Sequence, residues 1–116
     1  MMKHFSSLVA AAAVTLAAGG AAAQDDYPAQ AITMVVPFSA GGPTDTVTRL
    51  IAEPMGEALG QQLVIQNVTG AGGTVAAGQV ANAEPDGYTV LIHHIGMSTA
   101  PTLYANLPYD PLEDFE

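Results

Sequence analysis

Three short stretches of this sequence hold the residue types that could do chemistry. The first is Phe38-Ser39-Ala40-Gly41-Gly42-Pro43-Thr44-Asp45, where an apolar run gives way to a glycine pair. The second is Gly70-Ala71-Gly72-Gly73-Thr74, and the third carries His93, His94 and, a little further on, Ser98 and Thr99. Glycine-rich turns that open helices leave backbone N–H groups free, and those groups, with the helix dipole, form an anion site. Gly41 and Gly42 admit backbone angles that a side chain forbids and let a ligand approach the main chain. With Gly42 as N-cap, Pro43 falls at the first helical position, where its missing N–H costs nothing. Asp45 then lies in the first turn, favoured by the dipole and within reach of the loop amides. The same stretch also reads as an ordinary strand–loop–helix connection with no ligand.

Other chemistries fit these residues less well. A dinucleotide fingerprint starting at Gly70 needs glycine at position 75, which is Val75, and no third glycine follows Gly41-Gly42 at the right spacing. A phosphate loop needs Gly-Lys-Ser/Thr, and the sole lysine is Lys3. His93 and His94, if adjacent on a strand, point to opposite faces, which argues against both meeting one metal ion. On that reading one histidine is structural and His94 faces the loop edge. Ser39, Ser98 and Thr99 have no nucleophile elbow and no base placed beside them by sequence.

Composition narrows the partners. Eleven Asp and Glu stand against two Lys and Arg, for a formal charge of −9. Residues 1–23 read as a cleavable secretion leader. Lys3 and His4 open it, Phe5 to Leu16 form a short apolar core, and Ala21 and Ala23 fit an A-x-A cleavage site. The apolar core is short for a membrane span and Gly19-Gly20 breaks it. Loss of Lys3 takes the formal charge from −9 to −10 and leaves Arg49 as the one Lys or Arg. Nucleic acid, which needs a basic face, is excluded. An anion here must be held by main-chain amides. With no cysteine, there are no disulfides and no thiolate metal site, so residues 24–116 depend on their apolar core.

The elements that must position these loops alternate. Ile32-Thr33-Met34-Val35-Val36 reads as a buried strand that Pro37 ends. Val47, Leu50, Ile51, Met55, Ala58 and Leu59 recur at the helical period and predict one apolar stripe. Pro54 within it predicts a kink, or a break near Glu53, and Gly60 a stop. Leu63-Val64-Ile65 forms the core of a second strand. A helix from Val75 to Ala83 is expected to bury Val75, Ala76, Val80 and Ala83. After the turn Glu84-Pro85-Asp86-Gly87 comes a third strand from Tyr88 to His93. Tyr27-Pro28 is expected to tie the lead-in to the domain edge, Tyr88 and Tyr104 to pack, and Thr102 to Asn106 to form one helical turn. The order β-α-β-α-β predicts an α/β fold with a parallel sheet, right-handed crossovers and all three loops at the carboxyl edge of the strands. The stop at Glu116, with no closing element, reads as the front of a longer protein.

In this order the chain resembles the N-terminal part of the extracytoplasmic substrate-binding proteins of tripartite tricarboxylate transporters, the Bug family. The resemblance runs through Tyr27-Pro28, Val35-Val36-Pro37-Phe38, Gly41-Gly42-Pro43-Thr44-Asp45, Leu59-Gly60-Gln61, Gly70-Ala71-Gly72-Gly73-Thr74, Pro85-Asp86-Gly87-Tyr88-Thr89 and the segment from Leu107 to Phe115. Each segment is weak alone and the set is specific. Val68-Thr69 and His93-His94-Ile95-Gly96-Met97 depart from the commonest pattern, at loop edges where they bear on the ligand.

The resemblance implies that residues 24–116 form the first lobe of a two-lobe, type II Venus-flytrap binding protein, with the second lobe absent. It implies a periplasmic monomer that captures a small carboxylate without turning it over, works with the membrane subunits of such a transporter, and uses no cofactor or metal. On this reading the N–H groups of Ser39, Ala40, Gly41 and Gly42, and those of Gly70, Ala71, Gly72, Gly73 and Thr74, receive the carboxylate. Phe38 walls the site, Asp45 braces the first loop, and His94 and Ser98 line the third. The alternatives are a secreted enzyme using the same edge on a small anion, and a truncated chain with no activity of its own.

Overall fold

A computed structural model describes residues 26–116; the leader reading of residues 1–23 lies outside them. The elements run β1 (Ile32–Val36), α1 (Pro43–Leu59), β2 (Leu63–Asn67), a 3-10 turn (Ala71–Gly73), α2 (Thr74–Ala81), β3 (Thr89–Leu91) and α3 (Gly96–Leu103). The three strands form one parallel sheet in the order β2-β1-β3. The expected α/β alternation and parallel pairing are therefore present.

β1 is central because it is the most continuously apolar strand. Ile32, Met34, Val35 and Val36 are all buried, the two valines completely. Burial of a side chain of that size contributes roughly 1.5–3 kcal/mol. β2 alternates half-buried and exposed positions, as expected of an edge strand with one covered face. The tail docks through a small residue. A Cβ on Gly78 would stand 2.9 Å from Pro108 Cγ, so only glycine there lets the Pro108-Tyr109 segment lie on α2. Tyr109 is buried and packs edge-on against Phe115 at 5.8 Å. The lead-in is held as expected: Tyr27 Oη donates to Gly87 O at 2.6 Å, and Tyr88 Oη accepts from the Ala29 N–H at 2.8 Å.

α1 differs from expectation in two ways. It runs unbroken through Pro54. Pro54 and Leu50 both lie on the exposed side, so the Leu50 carbonyl left without its helical donor is open to water. The helix also buries a different face. Asp45, Thr48 and Ala52 point inward, while Val47, Leu50, Ile51, Met55 and Leu59 are 37–72% exposed. At about 100° per residue, the face through positions 45, 48, 52 and 56 lies opposite most of the stripe. The helix is set in rotation by its polar anchor at Asp45 and by small residues. A Cβ on Gly56 would meet Gln61 O at 3.0 Å, so Ala52 and Gly56 bring the helix close to the chain entering β2.

The later elements shift as well. α2 begins at Thr74 and buries Thr74, Ala76, Ala77 and Gly78, leaving Val75 exposed. β3 is shorter than expected and stops before the histidines. The turn expected at Thr102 to Asn106 is instead a two-turn helix starting at Gly96, which contains Pro101 and buries Ala100. Glycine and proline hide its local signal. Ser98 Oγ and Thr99 Oγ1 stabilise its start by donating to Ile95 O at 2.9 and 3.3 Å.

Candidate functional site

The three loops meet at the carboxyl edge of the sheet, and Asp45 is the post to which the first is tied. Its carboxylate is buried and accepts three hydrogen bonds: from the Gly41 N–H at 2.7 Å, Arg49 Nε at 2.9 Å and Asn67 Nδ2 at 2.9 Å. The Arg49 bond, then the Gly41 amide and Asn67, hold the Asp45 carboxyl well below the usual carboxylate range. Asn67 also donates to Phe38 O at 3.0 Å, so one side chain at the end of β2 fastens both the loop and its brace. Sequence reasoning missed Asn67. Its signal was the polar pair Gln66-Asn67 closing an otherwise apolar strand beside the second glycine loop.

Gly42 caps α1 with extended backbone angles and Pro43 follows at the first helical position, as expected. The amide assignments are narrower than expected. The Gly41 N–H is committed to Asp45, and the Gly42 N–H donates to Ser39 O at 3.1 Å. These two therefore shape the loop. Among the described residues, none pairs with the N–H groups of Ser39, Ala40, Thr44 or Asp45. The last two belong to the first turn of α1, where free N–H groups and the dipole favour an anion.

The second loop is shaped by backbone angles that favour glycine. Gly70, Ala71, Gly72 and Gly73 all have positive φ. Within it Gly73 donates to Gly70 O at 2.9 Å and Thr74 to Ala71 O, leaving the Ala71 and Gly72 amides without a chain partner among the described residues. Gly73 is also a contact point. A Cβ there would lie 2.8 Å from His93 Nε2 and 3.2 Å from Pro37 Cβ, so first, second and third loops close on this one position. Tyr104, expected only to pack, brings its hydroxyl to the second loop: a Cβ on Gly72 would stand 2.5 Å from it.

The histidines lie beyond β3, so strand alternation does not separate them. Both rings gather on Phe38. His94 stacks on it at 4.6 Å and 11°, and His93 meets it edge-on at 5.8 Å. His93, half-buried, is the ring wedged against the second loop; His94, exposed, forms the outer layer. His93 Nδ1 accepts from the His94 N–H at 2.8 Å, and His94 Nδ1 accepts from the Gly96 N–H at 3.1 Å. A neutral ring with Nδ1 so engaged carries its proton on Nε2. Burial, and then the neighbouring His94, push the His93 imidazole below its ordinary range. Ser98, expected to line the third loop, is exposed in the first turn of α3, and its hydroxyl donates back to Ile95 O.

Arg49 completes the picture of charge. Its guanidinium holds Asp45 from a side chain that is 55% exposed. Arg49→Gln is expected to change carboxylate affinity by less than about threefold, because the Gly41 and Asn67 donors still hold Asp45 and the Arg49 side chain lies half in water. Titrations of variant and parent at two salt concentrations check this; abolished binding would place the anion on the side chain and not on the amides. Among the described residues no group of three His, Asp or Glu could hold a metal ion. No described helix is long and apolar enough to cross a membrane.

Comparison with known proteins adds the lineage. The profile of the family described as "Tripartite tricarboxylate transporter family receptor" matches residues 47–116, more than half of the chain. The chain belongs to this receptor family. It is 54% identical over 93 residues to a UPF0065 protein from the TAR-I ttuE-ttuC' intergenic region of Agrobacterium vitis, covering 80% of this chain and 27% of that one. Among solved structures it is similar to the periplasmic binding protein BugD, with 54% identity and a TM-score of 0.76 over 78% of this chain and 30% of that one. It is also similar to MatC from Rhodopseudomonas palustris with bound malate, at 49% identity and a TM-score of 0.73, covering 76% of this chain and 30% of MatC. The chain thus spans under a third of the length of these family receptors.

Proposed function

We propose that residues 24–116 are the first lobe of a two-lobe solute-binding receptor that captures a small carboxylate in the periplasm for the membrane subunits of a tripartite tricarboxylate transporter. The observation that carries this reading is the meeting of three loops at one sheet edge. They bring unpaired backbone N–H groups, while Arg49 is already engaged by Asp45. The carboxylate is held by the amides of Ser39, Ala40 and the first turn of α1, together with Ala71 and Gly72. His93 Nε2–H supplies a further donor, and Phe38 forms the wall. The family membership and the malate held by MatC support the ligand class. The role is capture, and ligand is expected to be recovered unchanged.

A single lobe offers only part of such a site. About three charge-assisted bonds worth at best roughly 1.5–3 kcal/mol each, less about 4 kcal/mol or more for immobilising the ligand, leave at most roughly 0.5–5 kcal/mol, so affinity near millimolar or weaker is expected, since 1 mM corresponds to about −4 kcal/mol. The test is an amide-resolved NMR titration of the chain with malate. Saturable shifts at Ser39, Ala40, Thr44, Ala71 and Gly72 are expected, with product analysis showing intact malate. Unmoved loop amides, or malate consumed at a catalytic rate, would sink the reading. Localisation is checked separately by finding a mature N-terminus near Gln24 in the periplasmic fraction.

A further inference from the structure

Beside the loops lies an open groove that the carboxylate cradle does not use. It has a volume of about 430 Å³ and is lined by His94, Met97, Ser98, Pro101, Pro111 and Leu112. Its lining holds no Asp, Glu, Lys or Arg, and the hydroxyl hydrogen of Ser98 is spent on Ile95 O. His94 is the one other polar side chain there, so a second carboxylate or a hydroxyl-rich body finds few partners, while the methionine, proline and leucine surface favours an apolar body. The size suits a small molecule. It is also contiguous with the loops through one ring: His94 stacks on Phe38 at the carboxylate cradle and forms a wall of this groove.

We propose that the ligand is a monocarboxylate with an apolar, preferably aromatic, body, whose carboxylate sits on the loop amides and whose body lies past His94 in this groove. This rests on the carboxylate reading above and refines it to a substrate class. The flat His94 ring offers an aromatic edge or face to a planar ligand body, and Met97, a side chain that adapts its shape, lines the groove where ring size varies. Pro101 and Pro111 lend rigid apolar surface without side-chain entropy to lose. The histidine pair thus acts as the joint between the polar and apolar halves of one site.

The matched probes are propanoate and 3-phenylpropanoate, which share a carboxylate and differ by the phenyl group. Both are titrated into the 116-residue chain by NMR, and into a Leu112→Asp variant. Leu112 is 85% exposed, so this change leaves the core intact. The expected result is that 3-phenylpropanoate binds at least tenfold more tightly than propanoate, moves the Met97 methyl and His94 ring signals, and loses this advantage in the variant while propanoate is unaffected. Equal affinities, or an advantage untouched by Leu112→Asp, would overturn the groove assignment and leave the carboxylate cradle standing. Failure of both probes to move the loop amides would remove the cradle and this inference together.

Discussion

Asp45→Ala is expected to lower the melting temperature by more than about 10 °C, a large change for a domain of this size, and to remove carboxylate binding with it. The substitution strands three donors at once: the Gly41 N–H, Arg49 Nε and Asn67 Nδ2. Asn67 and the Gly41 amide lie in a part-buried region where a lost partner is not fully replaced by water. Asn67 would also lose the acceptor that orients it toward Phe38 O, so the first loop would come loose at two points. Asp45→Asn keeps the shape and offers one acceptor oxygen in place of two, and an intermediate loss is expected. Thermal unfolding of parent and both variants decides this; equal melting temperatures would show that the network does not brace the loop. Acid adds an independent check. The folded-state pKa of Asp45 is depressed, so its contribution is fully present above the unfolded carboxylate value of about 3.9 and is lost as pH falls from there towards the lower folded value. The stability gap between parent and Asp45→Ala should therefore be flat above about pH 5 and narrow below about pH 4.

Gly73→Ala is expected to destabilise the chain by about 2–4 kcal/mol, the sum of a positive-φ strain and an overpacking clash, and to weaken carboxylate binding at least tenfold. Gly73 sits at φ +96°, a conformation in which L side chains are strained. The added Cβ would also meet His93 Nε2 at 2.8 Å and Pro37 Cβ at 3.2 Å. Pro37 ends the central strand and is buried, so His93 is the group that must move, and the Phe38–His93–His94 stack moves with it. Gly60→Ala separates the two costs. Gly60 has φ +68° and open space where a Cβ would stand, so strain alone applies, about 1–2 kcal/mol. Urea unfolding gives the stabilities, and histidine ring signals report the stack. If the two alanine variants lose equal stability and the His93 signals stay in place, the three-loop contact at Gly73 is not what sets the geometry.

Local sequence determined the alternation of strands and helices, the parallel sheet and the three loops at one edge. It could do so because the signals are short-ranged. Ile32 to Val36 is apolar at nearly every position, Pro37 cannot continue a ladder, and Gly41-Gly42-Pro43 starts a helix by backbone angles alone. The bracing role of Asp45 was legible for the same reason, being set within one turn of the helix. What only the tertiary structure decided is everything that depends on which residues meet across the chain. The apolar stripe of α1 predicted one buried face, and the anchor at Asp45 with the small residues Ala52 and Gly56 turned another toward the sheet. Asn67 and Tyr104 became parts of the loop edge because β2 and α3 carry them there from 22 and 32 residues away from Asp45 and Gly72. His93 and His94 came to share one aromatic cluster because β3 ends at Leu91, which frees both rings from strand alternation. Periodicity records which side of an element is apolar, while the rotation of that element is fixed by its strongest specific contacts, and those join residues distant in sequence.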